Sequence, residues 1–428
     1  MTNRRGLLLG AIVGLAMVLF YFSAPNAFEL FELQLLDYRL RSRPVEPGPE
    51  KISVILVDER AMGRYGLGEK FKFALAELIE ELTSEGVKVI ALDIIFPTPR
   101  DNESSSSDRL SLAIHNAQCV VLGYRWDIPG FIEPFNNLER AERLRVVLGE
   151  HGWRYGYREN IPQAVYPTPK RALISDMRIV RSACSQGYVS VIAGLDLSVR
   201  TVPMAISMQQ HFLPPFSVSI VRKFRDNEEF VVQAEDGVVQ KIVLGDRELP
   251  VDMAGRLLLL PPGPPSSIQT YDFISALAGE IPSYRLKDGI VLIGVSAMGG
   301  HDNFTTSYGP NTPGVYVHAE AVHNMLDGRF LRRDLPIRRA ETLIMLLLPI
   351  ILGLLIAQVR PIFALLLPPI IAMALIYMAQ LFLERWGLWF LTSYAVVALF
   401  SAQIVILGAR LAVADKIIRC GQERENSA

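Results

Sequence analysis

Apolar positions along this chain fall into two patterns. Four runs approach the roughly 20 apolar residues that a helix needs to cross a bilayer: Leu7–Ala24 behind Arg4 and Arg5, then Leu343–Val359, Ile362–Leu383 and Leu388–Leu411. Between the first and second of these, the apolar runs are short and end in turns. ISVILVD (Ile52–Asp58), VKVIALDIIF (Val87–Phe96), CVVLGYR (Cys119–Arg125) and IVLIGVS (Ile290–Ser296) are rich in β-branched residues. That pattern predicts strands buried on both faces. Helical spacing is found over Phe28–Pro44, Phe71–Ser84 and Val315–Met325. Strand, helix, strand, loop, helix, strand implies a parallel sheet with right-handed crossovers. Within residues 126–260, QGYVSVI and LSVRTVPMAIS read as strands, and residues 229–260 as short β-like runs broken by Gly and Asp, antiparallel pieces inserted between the parallel strands. Pro97–Asp108 reads as a polar, low-complexity loop, and Leu260–Ser267 as an extended proline-rich linker with a helix starting near Tyr271. His301–Thr312 reads as a polar loop closed by Pro313 and Gly314. The expected fold class is therefore α/β, a parallel-sheet domain with an inserted antiparallel β region, plus α-helical transmembrane segments.

Charge sets the expected orientation. Arg4 and Arg5 favour a cytoplasmic N-terminus and an uncleaved anchor, which puts the large domain outside. Four crossings then return Lys416 and Arg419 to the cytoplasm. Arg332, Arg333, Arg338 and Arg339 fall on the outer side, against the positive-inside tendency, behind a large folded domain. The expected organisation is an anchor over 1–27, an extracytoplasmic domain over 28–338, a three-helix membrane block over 339–412 and a short cytoplasmic tail over 413–428. This describes a multi-pass protein of the inner membrane, its large domain in the periplasm or outside the cell, with membrane lipid as a partner. The 43 Lys+Arg against 44 Asp+Glu leave no basic excess for nucleic acid. Three cysteines cannot make a disulfide framework; Cys119 and Cys184 are either one bridge or two buried thiols.

Several stretches together resemble a known family. DYRLRSRP, ISVILVDE, VKVIALDIIFPTP, GLDLSVRTVP and IVLIGVSAMGGHDNFTTSYGPNTPGVYVHAEAVHNMLDGRFLRR occur in order, followed by membrane helices. This resembles the second-type CHASE domain, the extracytoplasmic sensory module associated with cyclases and histidine kinases, over about residues 28–333. The most specific part is the LIG…D.F.T…PGV.VHA…L.GR run. The family often shows an Asp-x-Asp-Gly turn before the arginine, where Leu197 and Ser198 stand here. The resemblance implies a sensor of an unknown extracytoplasmic ligand that signals through its membrane helices. Related proteins feed a cytoplasmic cyclase, kinase or phosphatase. No sequence of that kind follows the last apolar run here, so the expected reader is a separate partner protein or a second copy in a homo-oligomer.

Candidate chemistry gathers where parallel strands end. Asp58, Asp93 and Ser296 end three of the predicted strands; His301, Asp302 and Thr305 follow in the next loop. In open parallel sheets ligands bind at that edge, so these six are the candidate ligand-binding residues. The plainer reading makes the acids helix caps or partners of nearby arginines. Gly294-Val295-Ser296-Ala297-Met298 approaches a nucleophile elbow, but Met298 stands where the closing glycine belongs. An extracytoplasmic enzyme acting at Ser296–Asp302, or a structural assembly protein, are the alternatives to a sensor. His301, Asp302 and His318 are too few ligands to define a metal site. No P-loop, kinase set, H-E-x-x-H or C-x-x-C is present. The expectation is no catalytic residue, no metal and no cofactor.

Overall fold

The computed structural model describes residues 3–23, 26–97, 104–126, 172–204, 206–208, 211–235, 238–252, 254–297 and 303–425. It opens with α1 (Asn3–Ser23) and α2 (Asn26–Arg41), then β1 (Ile52–Val57), α3 (Glu59–Tyr65), α4 (Glu69–Ser84), β2 (Val89–Asp93), α5 (Ser104–Ala117) and β3 (Val120–Trp126). After β4 (Ala172–Leu173), α6 (Met177–Ser182), β5 (Ser185–Tyr188) and β6 (Ser198–Val199) come β7 (Thr201–Pro203), β8 (Ile206–Met208) and β9 (His211–Leu213). Then follow α7 (Phe216–Phe224), β10 (Phe230–Glu235), β11 (Val238–Leu244), β12 (Arg247–Leu249) and β13 (Arg256–Leu258). β14 (Gln269–Asp272), α8 (Phe273–Leu277), α9 (Ser283–Leu286), β15 (Ile290–Val295), β16 (Asn303–Thr306), β17 (Gly309–Pro313) and α10 (Gly314–Asp327) complete the β-rich part. Last are α11 (Leu335–Gln358), α12 (Pro361–Trp386) and α13 (Thr392–Glu425). Two compact units result, one of residues 40–330 and one of residues 1–39 with 331–428.

The 40–330 unit is the expected α/β domain. Its main sheet runs β14-β1-β15-β2-β3-β4, with β5 also on β3; all pairs are parallel except β3 with β4. β15 arrives last in sequence yet inserts between β1 and β2, which explains its unbroken apolar run, as a central strand is covered on both faces. Ile290, Val291, Leu292 and Ile293 are all buried. One face packs on α10 and α7 and the antiparallel pieces; Val315, Ala319, Val322, Phe216 and Ile220 fill that core. The other packs on α4, α5 and α8 through Phe71, Leu75, Leu78, Leu110, Ile114 and Phe273. The antiparallel insertion is present as β10-β11-β12, β7 with β13, and β8 with β9.

Three segments depart from the sequence pattern. The serine run is helical rather than loop, because α5 starts at Ser104; small serines let its first turn close on α4, and Ser106 and Ser107 are buried. Gln269–Asp272 is an edge strand beside β1, and the helix starts only at Phe273; half-buried edge strands carry too little alternation to announce themselves. Within the expected loop, Asn303–Thr306 and Gly309–Pro313 pair as a hairpin, and β16 also pairs with β6.

Among the described residues, the second unit holds four helices long and apolar enough to cross a membrane: Asn3–Ser23, Leu335–Gln358, Ile362–Trp386 and Thr392–Cys420. α1 and α11 meet through glycines. A Cβ on Gly6, Gly10 or Gly14 would stand 2.4, 2.4 and 2.6 Å from the carbonyl oxygens of Gly353, Pro349 and Leu346. Such spacing brings two backbones into direct contact, the packing that small residues four apart allow between membrane helices. The arginines that follow α10 find partners within this unit. Arg332 pairs with Asp334 at 2.5 Å; Arg333 reaches Glu341 at 3.2 Å and lies over the Trp389 ring. Glu341 also accepts from Tyr21 Oη at 2.7 Å and the Leu391 amide at 2.8 Å.

Candidate functional site

Strand register decides which candidates meet. Val57 lies opposite Val295, and Gly294 lies opposite both Leu56 and Asp93. Asp58, Ser296 and Asp93 therefore finish adjacent strands at one carboxyl edge, with β15 in the middle. Asp272 at the end of β14, opposite Leu56, extends the row to four strands; it was not legible as a site residue because its strand was not.

Two of these acids cap helices. Asp58 Oδ1 accepts from the Ala61 amide at 2.9 Å and opens α3. Asp272 Oδ1 accepts from Ser275 at 2.9 Å and opens α8; that amide holds its carboxyl below the usual range. Ser296 is half-buried, and its amide donates to Val57 O at 3.1 Å. Asp93 is buried and engaged in a polar interaction of its own. Thr305 sits apart from this row, exposed on β16 in the small sheet, opposite Ser198. His301 and Asp302 lie outside the described residues. His318 is fully buried on α10, its Nε2 3.1 Å from Val189 O, and burial pushes its pKa down to about 4. Among the described residues no three His, Cys, Asp or Glu side chains group as metal ligands. Cys119 and Cys184 are free thiols, both pushed up by burial, Cys184 to about 11.

A cation at this edge escaped the sequence pattern. Lys72, in the first turn of α4, is buried with its Nζ 3.0 Å from Ser107 Oγ. Nearby Asp176 caps α6 and pairs with Arg178. Burial works to raise its pKa, but the Arg178 bonds and charge and the Lys72 charge outweigh burial and hold it low. Lys72 sits inside the helical pattern of Phe71–Ser84 beside apolar neighbours. A lone lysine there reads as a solvent-facing position until α5 is known to cover it.

The opposite, amino edge carries a second polar cluster. Arg329, just past α10, grips both carboxylate oxygens of Glu46, Oε1 at 3.0 Å. Glu46 Oε1 also accepts from Arg43 at 2.6 Å, and Arg43 reaches Pro261 O at 3.1 Å. Arg41 donates to Ser307 O at 2.7 Å, and Tyr308 Oη to Leu40 O at 3.3 Å. The residues entering and leaving this unit are thus bonded to each other. Glu320 on α10 stands in the same neighbourhood, since its charge, with those of Arg43 and Glu46, acts on Tyr308. It is only 5% exposed, and burial alone raises its pKa to about 8.

α10 joins the two edges. Its first turn presses on β15, where a Cβ on Gly294 would stand 2.6 Å from Val315 Cβ. Near its end, Asn324 exchanges two 2.8 Å bonds with the Leu260 backbone, and Gly328 closes it in the left-handed region. At 14 residues it spans roughly 21 Å.

The CHASE2 domain family model matches residues 12–358. No curated protein and no solved structure matches the chain.

Proposed function

The chain belongs to the CHASE2 domain family, and from that membership we propose that it is a membrane-anchored sensor. In this reading the 40–330 unit faces the extracytoplasmic side and binds a small polar ligand at its carboxyl edge. Asp93, Ser296 and Asp58 contribute from the strand ends, with His301 and Asp302 from the following segment. The protein itself performs no catalysis, and a partner protein or second copy reads the signal. The observation that carries the proposal is the path through α10. One rigid helix starts against β15 near the candidate site and ends at the Arg329–Glu46 clasp, where chain entry and exit are bonded together. A ligand that favours one position of the α10 first turn shifts the population of clasp states.

Two measurements test this. A membrane-impermeant maleimide applied to intact cells should label Tyr284→Cys, a 75% exposed position; labelling only after lysis would place the unit on the wrong side. Thermal melts of the full-length protein against a panel of small polar solutes should then find a stabilising ligand. Mass action predicts about 2.7 kcal/mol at a hundredfold excess over Kd. A gain equally large in Asp93→Asn and Ser296→Ala would remove the ligand from this edge.

A further inference from the structure

Two buried carboxyl groups in the unit of residues 1–39 with 331–428 reach the start of α13, where first-turn amides have no partner within the helix. Glu32 on α2 accepts through Oε1 from the Ser393 amide at 2.9 Å and from Ser393 Oγ. Glu341 on α11 accepts through Oε1 from the Leu391 amide at 2.8 Å. Their second oxygens differ. Glu341 Oε2 takes Tyr21 Oη at 2.7 Å and Arg333 Nη2 at 3.2 Å. Glu32 Oε2 is buried and accepts no hydrogen bond among the described residues. The whole residue is only 2% exposed.

The nearby cations are bonded elsewhere. Arg39 lies seven residues on, roughly 10 Å along the same face of α2, with fully buried Leu36 between. Its guanidinium donates to Ala379 O at 2.6 Å, Phe390 O at 3.0 Å and Gln380 Oε1 at 3.3 Å. It therefore acts on Glu32 only through space. Arg333 is bonded to Glu341 and Tyr21. The charged and titratable groups around Glu32 are Glu29 and Arg39 on α2, Tyr21 on α1, Arg333 and Glu341 at α11, and Tyr394 on α13. On α12, Glu384 is bonded to Gln380. A carboxylate at Glu32 would hold one oxygen without a donor or an adjacent cation, which burial penalises. Glu341 already supplies the negative charge that a helix N-terminus favours. Burial pushes the Glu32 pKa up, and the Glu341 charge adds to it; the Ser393 bonds and the Arg39 charge pull down without cancelling that rise.

We propose that Glu32 is a proton-binding site whose proton holds α2 against the start of α13. With α2 seated, Glu32 keeps its proton and the buried Oε2 carries no charge. When α2 lifts from α13, the carboxyl reaches water and releases the proton at the ordinary glutamate value. The seated position therefore binds the proton more tightly, and the proton acts as its ligand. Seating is strongest at low pH and weakens as pH rises through the raised value. Because α2 leads the chain into the 40–330 unit, this gives the sensor a second input, pH. The inference does not depend on the ligand site at the strand edge.

The test follows the full-length protein in detergent from pH 5 to 9. Infrared spectra report the C=O stretch of carboxylic acids, and subtracting Glu32→Gln separates the Glu32 band from that of Glu320. The difference should contain an acid band at pH 5 that gives way to carboxylate within the range, at a midpoint above the ordinary value of about 4.3. Ser393→Ala removes a donor to the ionised form and should move that midpoint upward, a shift that a role in packing alone would not produce. Where Glu32→Gln does not fold, Ser393→Ala against wild type makes the same comparison. Amide exchange in α2 and the first turn of α13, corrected for the intrinsic rate, should quicken several-fold across the midpoint in wild type and stay slow in Glu32→Gln. A Glu32 that is ionised, or that keeps its proton, over the whole range would overturn the proposal. So would a midpoint unmoved by Ser393→Ala, or exchange that follows pH equally in Glu32→Gln.

Discussion

Glu320→Gln isolates one buried proton. Glu320 is 5% exposed, and burial raises its pKa from 4.5 to about 8. Below the unfolded value both states hold the proton and ionisation costs nothing. Between the two values the unfolded chain releases the proton while the folded chain keeps it. Stability therefore falls by about 1.4 kcal/mol per pH unit, then levels off above the folded value. The whole window amounts to about 5 kcal/mol, of which about 3 is lost by pH 7. His318 works in the opposite sense, since its pKa is lowered from 6.5 to about 4. It contributes stability that is present above 6.5 and lost as pH falls towards 4. The two slopes oppose each other between 4.5 and 6.5, so Glu320 should dominate their joint effect between 6.5 and 8. The assay is the Tm of the full-length protein, wild type against Glu320→Gln, at half-unit steps from pH 5 to 9. Taking the difference between the two curves cancels His318. Gln keeps the size and polarity of the protonated acid, so the variants should nearly coincide at pH 5. At pH 8.5 Gln should melt higher by roughly 10–20 °C, taking 2–4 °C per kcal/mol for a domain of this size. Curves that stay parallel across the range would show that Glu320 ionises freely in the folded protein, and the reasoning from burial would fail.

Three other changes probe the two units. Arg329→Ala and Glu46→Ala should each destabilise the 40–330 unit, and their double-mutant cycle should return about 1 kcal/mol of coupling, limited by solvent at a partly exposed pair; strict additivity would dissolve the clasp. Gly10→Ala should force α1 and α11 apart, costing about 1–3 kcal/mol, because its Cβ meets Pro349 O at 2.4 Å. Gly408→Ala, which meets nothing within 4 Å, is the control on α13, and equal detergent melts for the two would refute the close packing. Leu197→Gly should stabilise by up to about 1 kcal/mol, since Leu197 holds φ +61 on an exposed turn where a side chain adds only strain. Unchanged or lower stability in chemical unfolding would contradict that.

What the sequence determined by itself was whatever a local period can encode. Unbroken apolar runs are buried wherever they end up, so the β1, β2, β3 and β15 segments and all four long helices were legible, as was the α/β class. Asp58, Asp93 and Ser296 were legible as strand-end residues for the same reason. Only tertiary structure decided their arrangement, because strand order depends on pairing between distant segments. β15 slips between β1 and β2, and that insertion brings Ser296 between Asp58 and Asp93. Gln269–Asp272 needed β1 beside it to become a strand, and the serine run needed α4 to become a buried helix turn. Lys72 became a buried cation only when α5 closed over it. The Arg329–Glu46 pair joins residues far apart in the chain, so no local pattern contains it. Gly6, Gly10 and Gly14 lie between these extremes. Their four-residue spacing is written in the sequence, but that they serve α11 of the same chain is a fact of packing alone.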